Sequence, residues 1–566
     1  MELSAASYTY IVSVLMTVIV ILLTWRILDS LWFKPKKIEK FLRAQGLKGN
    51  SYRFMFGDSK EIAQMTREAK SKPIHLKDDI APRVLPFVHK SVADYGKICF
   101  TWMGPRPMVQ VTEPAMIKEI LADYYKFQKS RGNPLFRKLM KGLVDVEGDQ
   151  WVKHRKIINP AFNMEKLKQM IPAFYTSCDE MINKWKNLLI KESSCEVDVC
   201  PYIETMSNDV ISRTAFGSSF EEGRKIFELL HEMLVLIVKS IQSDIFPGSR
   251  FLPTKRNKRI KEIDQKVKDS IKGIVNKRLV AMKAGENSND DLLGILLRSN
   301  YEEIKQDGNK NSGLSIEEII EECKLFYVAG QETTRNLLIW TMVLLGQHMN
   351  WQTRARDEVL HLFRDKKPDF ERLSHLKVVN MIFNEVLRLY PSVAFLGRII
   401  HKETKLRDLM LPAGTLLQIN VLLLHYDHEI WGDDVKEFNP ERFSEGVSKV
   451  TKGQTCYLPF GGGIFSCTIY TFFFPSNDDG VDSKSRLETP RFVLFCHFRG
   501  VYVPPCFANR SGIETTVALT PNNADSRPLA VPPTLPSIPS IASLKITFLE
   551  YIQVCIIRVE TNGKSD

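Results

Sequence analysis

The chain has 566 residues, of which 44% are hydrophobic and 25% charged, a balance that excludes both a wholly disordered chain and a polytopic membrane protein. A net charge of +12 suits an acidic protein partner or an anionic membrane surface. The lysines and arginines are spread along the chain without a zinc-finger or other nucleic-acid signature, so no nucleic-acid ligand is expected. Ten scattered cysteines with no CxxC pair fit a reducing compartment better than a disulfide framework.

Residues 8–25 (YTYIVSVLMTVIVILLTW) form an almost unbroken apolar run with no charge until Arg26, long enough to cross a bilayer as one helix. A cleaved signal peptide is the rival reading, but the run lacks a basic n-region and a small-residue cleavage site. Arg26, Lys34, Lys36 and Lys37 follow, and by the positive-inside rule they leave the bulk of the chain cytosolic. A basic amphipathic segment continues to about residue 72. Residues 98–103 and 108–112 flank Gly104-Pro105-Arg106-Pro107 and read as a β-hairpin. Most of the chain from there to about residue 390 is helical in period, with no internal repeat.

Within the helical region Trp151 and Arg155 stand four apart, on one helical face. They are either a core tryptophan beside an exposed arginine or a pair facing an anionic ligand edge. Residues 316–345 form the longest strongly apolar helix, and in its middle lies Ala329-Gly330-Gln331-Glu332-Thr333-Thr334. Glycine there costs about 1 kcal/mol relative to alanine, and a buried acid costs more unless it is paired or functional. Two readings account for this: the helix face is thinned for a ligand, with Glu332 and Thr333 relaying protons to a bound oxygen, or the small residues serve a close helix crossing.

Glu385 and Arg388 lie three apart on a helix that Tyr390-Pro391 ends. Phe438-Asn439-Pro440-Glu441-Arg442-Phe443 offers Arg442 as a third partner, giving either a buried Glu–Arg–Arg triad or two unrelated surface pairs. The segment 457–467 (YLPFGGGIFSC) then brings three successive glycines and Cys467. Glycines let the backbone approach a flat object closely, and a cysteine thiolate there can hold haem iron and favour oxygen activation. A surface turn is the other reading.

In order and spacing these elements resemble a cytochrome P450, a haem-thiolate monooxygenase. The matching features are the anchor, Trp151 and Arg155 of a WxxxR helix, Ala329-Gly330-x-Glu332-Thr333-Thr334, Glu385-x-x-Arg388, the PERF-type segment through Arg442, and Phe460-Gly461-x-Gly463 opening the cysteine loop. Trp32-Phe33-Lys34-Pro35-Lys36, Leu42-Arg43-x-Gln45-Gly46-Leu47-x-Gly49-x-x-Tyr52-Arg53 and residues 151–162 (WVKHRKIINPAF) are similar to the plant 72 clan, the group of secologanin synthase and triterpenoid oxidases.

The resemblance implies a mainly α fold with small β-sheets behind a single-pass anchor in the endoplasmic-reticulum membrane. It implies haem, electrons from NADPH–cytochrome P450 reductase, and insertion of one oxygen atom of O₂ into an apolar, terpenoid-like small molecule. By the same resemblance Cys467 is the metal ligand, and Trp151, Arg155 and Arg398 contact haem propionates. Ala329, Gly330, Phe460 and Gly463 adjoin the cofactor, Glu332 and Thr333 form the proton relay, Glu385, Arg388 and Arg442 form a structural triad, and residues 393–396 line the substrate pocket.

The match fails partway through the loop. The family pattern is Phe-x-x-Gly-x-Arg-x-Cys-x-Gly; Phe460, Gly463 and Cys467 fit, whereas Phe465 replaces the arginine and Ile469 the last glycine. Residues 468–566 lack a sustained helical period and include a proline-rich stretch at 521–539, where the family has a helix packed on the haem and a closing hairpin. Intron read-through or a misassembled gene model would leave such a pattern. The expected organisation is an anchor and flank at 1–30, a truncated P450 domain at 31–467 and an atypical, poorly ordered tail at 468–566. The rival to an active monooxygenase is a catalytically inactive, truncated P450 that acts at most as a membrane-anchored binding protein.

Overall fold

The apolar run forms helix α1 (Ala5–Leu28), 24 residues that at ~1.5 Å per residue reach across the ~30 Å of a bilayer interior. The helix runs past both ends of the apolar run at 8–25, and among the described residues one helical stretch, Tyr10–Ala44, is long and apolar enough to cross a membrane, with mean hydropathy 2.5. One π-helical turn (Asp29–Phe33) joins it to α2 (Lys34–Ala44), and Pro35 at the junction has no N–H to give to the preceding turn. These coordinates come from a computed structural model that describes residues 5–75, 78–130, 134–191, 195–218, 220–243, 253–285, 291–309, 312–363 and 366–462, with short strands at 501–502, 516–521, 543–547 and 556–560. Gly463 and Cys467 lie outside the described residues, as do Phe465 and Ile469.

Two units make up the chain. One comprises Met1–Ala69, Leu85–Ser130 and Leu396–Asn420. There α2 is pinned by its buried Glu39, which accepts from Lys36 Nζ at 2.9 Å and from the Tyr52 N–H at 3.1 Å. The Tyr52 hydroxyl donates back to the Leu31 carbonyl at 2.5 Å.

The sheet of this unit runs β1-β2-β5-β4-β3, from β1 (Ile98–Met103), β2 (Arg106–Val111), β3 (Gln128–Lys129), β4 (Leu396–Ile399) and β5 (Leu416–Ile419). Only the β2–β5 pairing is parallel. The hairpin turn is shorter than the four residues the sequence suggests. Pairing already begins at Met103↔Arg106, because Gly104 takes a left-handed φ of 57° and closes the turn in two residues.

The other unit, Lys70–Val84, Arg131–Phe395 and Val421–Asp566, is mainly helical. Its elements used below are α3 (Gly148–Ile158), α4 (Cys200–Phe216), α5 (Phe220–Ser243), α6 (Ile316–Gln347) and α7 (Lys377–Leu389). Helix α6 starts at a full capping box between Ser315 and Glu318 and is enclosed on every side, with α4, α5 and α7 among its neighbours. It is buried almost throughout although Glu321, Glu322, Lys324, Glu332, Arg335 and Asn336 interrupt its apolar residues, so these groups need partners inside the unit. Helix α7 stops at Leu389, two residues before Pro391, as proline requires. Beyond residue 462 the described strand Thr516–Pro521 pairs antiparallel with Cys195–Asp198. The architecture is mainly helical with small sheets, as the sequence predicts.

Candidate active site

Along α6, residues 319–346 are buried with one exception: Ala329, which is partly exposed. An opening therefore lies beside Ala329 in the middle of an otherwise enclosed helix. One turn on, the Thr333 hydroxyl donates to the Ala329 carbonyl oxygen at 2.6 Å, and Ser392 Oγ donates to the Thr333 carbonyl at 3.3 Å. Gly330 turns elsewhere. A Cβ built on it would stand 2.2 Å from Ile211 Cδ1 of α4, so its missing side chain serves the α4–α6 crossing, the second of the two readings of the small residues.

Glu332 is 3% exposed and resolves its own burial by pairing. Arg335 Nη2 donates to its Oε2 at 2.7 Å, and Arg335 Nη1 reaches Glu204 Oε2 of α4 at 3.0 Å. His231 of α5 places Nδ1 3.8 Å from Glu332 Oε1, an ion-pair distance beyond hydrogen-bond reach. Burial pushes the Glu332 carboxyl upward, but the Arg335 charge and His231 together hold it below the usual carboxylate range. The acid is therefore ionised, and its carboxylate faces α4 and α5.

On α3, Trp151 is buried and Arg155 partly exposed. The sequence reading passed over the residue between them. His154 Nδ1 meets Glu322 Oε1 of α6 at 2.5 Å with both side chains buried, and its Nε2 lies 3.5 Å from Glu318 Oε1. This contact fixes the face that α3 turns toward α6. A histidine three residues after a core tryptophan falls on the same helical side, which was the available signal.

Glu385 and Arg388, both 0% exposed, form a two-pronged pair, Nε and Nη2 each donating at 2.7 Å. Arg388 also donates to the carbonyls of His425 at 2.9 Å, Val435 at 2.7 Å and Glu437 at 3.3 Å. Arg442 Nε lies 3.7 Å from Glu385 Oε2 while its Nη1 donates to the Trp431 carbonyl at 2.6 Å. The structure brings the three together, with Arg442 the outer member.

His425 is the second residue missed. It is fully buried, its Nδ1 faces the Arg388 carbonyl at 3.2 Å, and its Nε2 accepts the Leu458 N–H at 3.0 Å. The ring stacks on Tyr457, whose hydroxyl donates to the Asn384 carbonyl at 2.9 Å. Burial, reinforced by Arg388, pushes the imidazole down to about 3, so it stays neutral with its proton on Nδ1. Within the loop Gly461 takes φ 79°, a conformation suited to glycine, and Phe460 is partly exposed. Cys456, just before this segment, is buried, and burial pushes its thiol up to about 12. Arg398 is buried on β4 of the sheet unit, opposite Leu417 and Lys129.

The family model described as Cytochrome P450 matches residues 83–468. Cytochrome P450 CYP72A219 of Panax ginseng is 59% identical over 451 residues, 80% of this chain and 87% of that protein. Two Catharanthus roseus enzymes are each 51% identical: 7-deoxyloganic acid hydroxylase, over 82% of this chain and 90% of its own length, and secologanin synthase 1, over 78% and 85%. Among solved structures, retinoic acid-bound cyanobacterial CYP120A1 shares the fold at a TM-score of 0.61 and 21% identity, covering 75% of this chain and 88% of that one. The chain belongs to the cytochrome P450 family of haem monooxygenases, with plant 72-group enzymes, secologanin synthase among them, as its relatives.

Proposed function

We propose that the chain is a haem-thiolate monooxygenase that hydroxylates an apolar, terpenoid-like small molecule, using O₂ and electrons passed from NADPH by a cytochrome P450 reductase. The observation that carries this is the partly exposed Ala329 in the enclosed length of α6, one turn from the Thr333 hydroxyl and three residues from an ionised acid. An accessible point on the helix thus stands next to a hydroxyl and near a buried acid, which supports the reading of a ligand with proton-handling side chains close by. When bound, the haem supplies reductive activation of oxygen. Cys467 is assigned as its thiolate ligand, Trp151 and Arg155 as propionate contacts, Phe460 and Gly463 as loop residues against it, and Arg398 the same anion-pairing role from its own unit. Glu332 and Thr333 hold and pass protons. Relatives named for 7-deoxyloganic acid and secologanin support the substrate class. Helix α1 is assigned as a single-pass anchor in the endoplasmic-reticulum membrane, with residues 31–467 as the cytosolic catalytic domain and 468–566 as an atypical tail.

A second reading, an inactive P450 retained as a membrane-anchored binding protein, is favoured by Phe465 and Ile469 at the family's arginine and glycine positions. The carbon monoxide difference spectrum of the reduced full chain in membranes separates the two. A strongly red-shifted Soret band that Cys467→Ala abolishes supports the monooxygenase. No haem band, or one indifferent to Cys467→Ala, supports the inactive chain.

A further inference from the structure

A buried carboxylate that passes a proton onward must be reloaded from outside. Three charged groups of the described residues surround Glu332: Arg335 on α6, Glu204 on α4 behind Arg335, and His231 on α5. Cys200 at the start of α4 also faces Arg335. Arg335 cannot carry the proton, because a guanidinium stays charged throughout the accessible pH range. Glu204 is 32% exposed but meets Glu332 only across Arg335. His231 differs from both. Its side chain is 36% exposed and its Nδ1 points at Glu332 Oε1 from 3.8 Å, and imidazole is the side chain that exchanges protons near neutrality. Contacts of this kind are often long before substrate binds and tighten afterwards.

We propose that His231 is a positioning residue that reloads Glu332 with protons drawn from solvent. The inference rests on the relay reading of Glu332 given above. In the step, imidazolium His231 breaks its Nδ1–H bond and a new O–H bond forms on Glu332 Oε1. The pair of opposite charges becomes a neutral imidazole and a neutral carboxylic acid. Once Glu332 has passed its proton on, the imidazole recovers one from water through its exposed side. Electrostatics favour the loaded state of the donor: the Glu332 carboxylate raises the His231 pKa, opposed by burial and by the Arg335 charge. Arg335 in turn keeps Glu332 acidic, so that a proton placed on it is readily given up.

The test uses the full chain in lipid nanodiscs with ring-labelled histidine, the His231 resonance being identified by its loss in His231→Gln. The expected result is that Glu332→Gln lowers the His231 titration midpoint by about one pH unit. Should that variant fail to fold, Arg335→Gln is expected to raise the midpoint instead. A midpoint unmoved by either overturns the proposal. In the haem-loaded chain, His231→Gln is expected to lower kcat about tenfold, leave KM unchanged and remove the alkaline limb of the kcat profile. Unchanged kcat overturns the proposal. Absence of a thiolate-type carbon monoxide band in the unmutated chain instead removes the monooxygenase reading, and this inference with it, a failure separable from loss of His231–Glu332 coupling.

Discussion

The imidazole of His425 accepts the backbone N–H of Leu458 at 3.0 Å. Through its other nitrogen it faces the carbonyl of Arg388, so one neutral ring ties the buried Glu385–Arg388 pair to the start of the glycine loop. The triad is therefore more than a local knot, because its geometry reaches the loop through a single side chain. A protonated Nε2 could no longer accept the Leu458 hydrogen.

Acid should loosen this tie. His425 is pushed down to about 3 in the folded chain against ~6.5 when unfolded. Between these values the unfolded state binds the extra proton. Stability rises with pH there and is lost as pH falls from ~6.5 toward ~3, by up to about 1.4 kcal/mol per pH unit from this group. Urea unfolding across that window should be steeper in pH for the unmutated chain than for His425→Gln. Equal slopes would refute the assignment.

Arg388→Lys should unfold the helical unit under ordinary conditions. A lysine cannot reproduce two parallel bonds to Glu385 together with three carbonyl contacts, and breaking a fully buried pair costs about 3–5 kcal/mol. Arg442→Lys should be milder, about 1 kcal/mol, because Arg442 stands 3.7 Å from Glu385. Thermal unfolding midpoints that ranked the two variants the other way round would contradict this reading.

Gly330→Ala tests the helix crossing. The added methyl meets Ile211 Cδ1 at 2.2 Å, and overpacking of this kind costs about 1–3 kcal/mol. Ile211→Val removes the Cδ1 atom, so the double variant should recover part of the loss. A double-mutant cycle on unfolding free energies checks it, and strict additivity of the two changes would show that the contact does not matter.

What the sequence could and could not disclose follows from the kind of signal each residue carries. Helix α6 and the triad were legible because periodicity marks an enclosed helix, and charges inside apolar helices announce a need for partners. Composition left the role of Gly330 open: a small residue suits a ligand and a crossing equally, and only the position of Ile211 decides. His231 and His425 gave no signal, and His154 gave only its place on the same helical side as Trp151. Each sits at an apolar helical spacing and is read as a core residue until its partner, distant in the chain, is known. The loop showed its ligand spacing, but Gly463 and Cys467 lie outside the described residues.

The last prediction separates relay from scaffold at Thr333. Its hydroxyl makes one bond, to the Ala329 carbonyl at 2.6 Å, while its own carbonyl is held by Ser392 independently of the side chain. Thr333→Val keeps the shape and loses about 1 kcal/mol of stability with the hydrogen bond. As a relay member, however, the hydroxyl should be worth about 10²-fold in turnover. Thr333→Ser keeps a hydroxyl and should retain most of the activity. Product formed per NADPH consumed, measured for both variants with a reductase in membranes, decides the matter. If valine and serine variants fall together, Thr333 acts through packing; if valine alone falls while both unfold at similar temperatures, the hydroxyl carries protons.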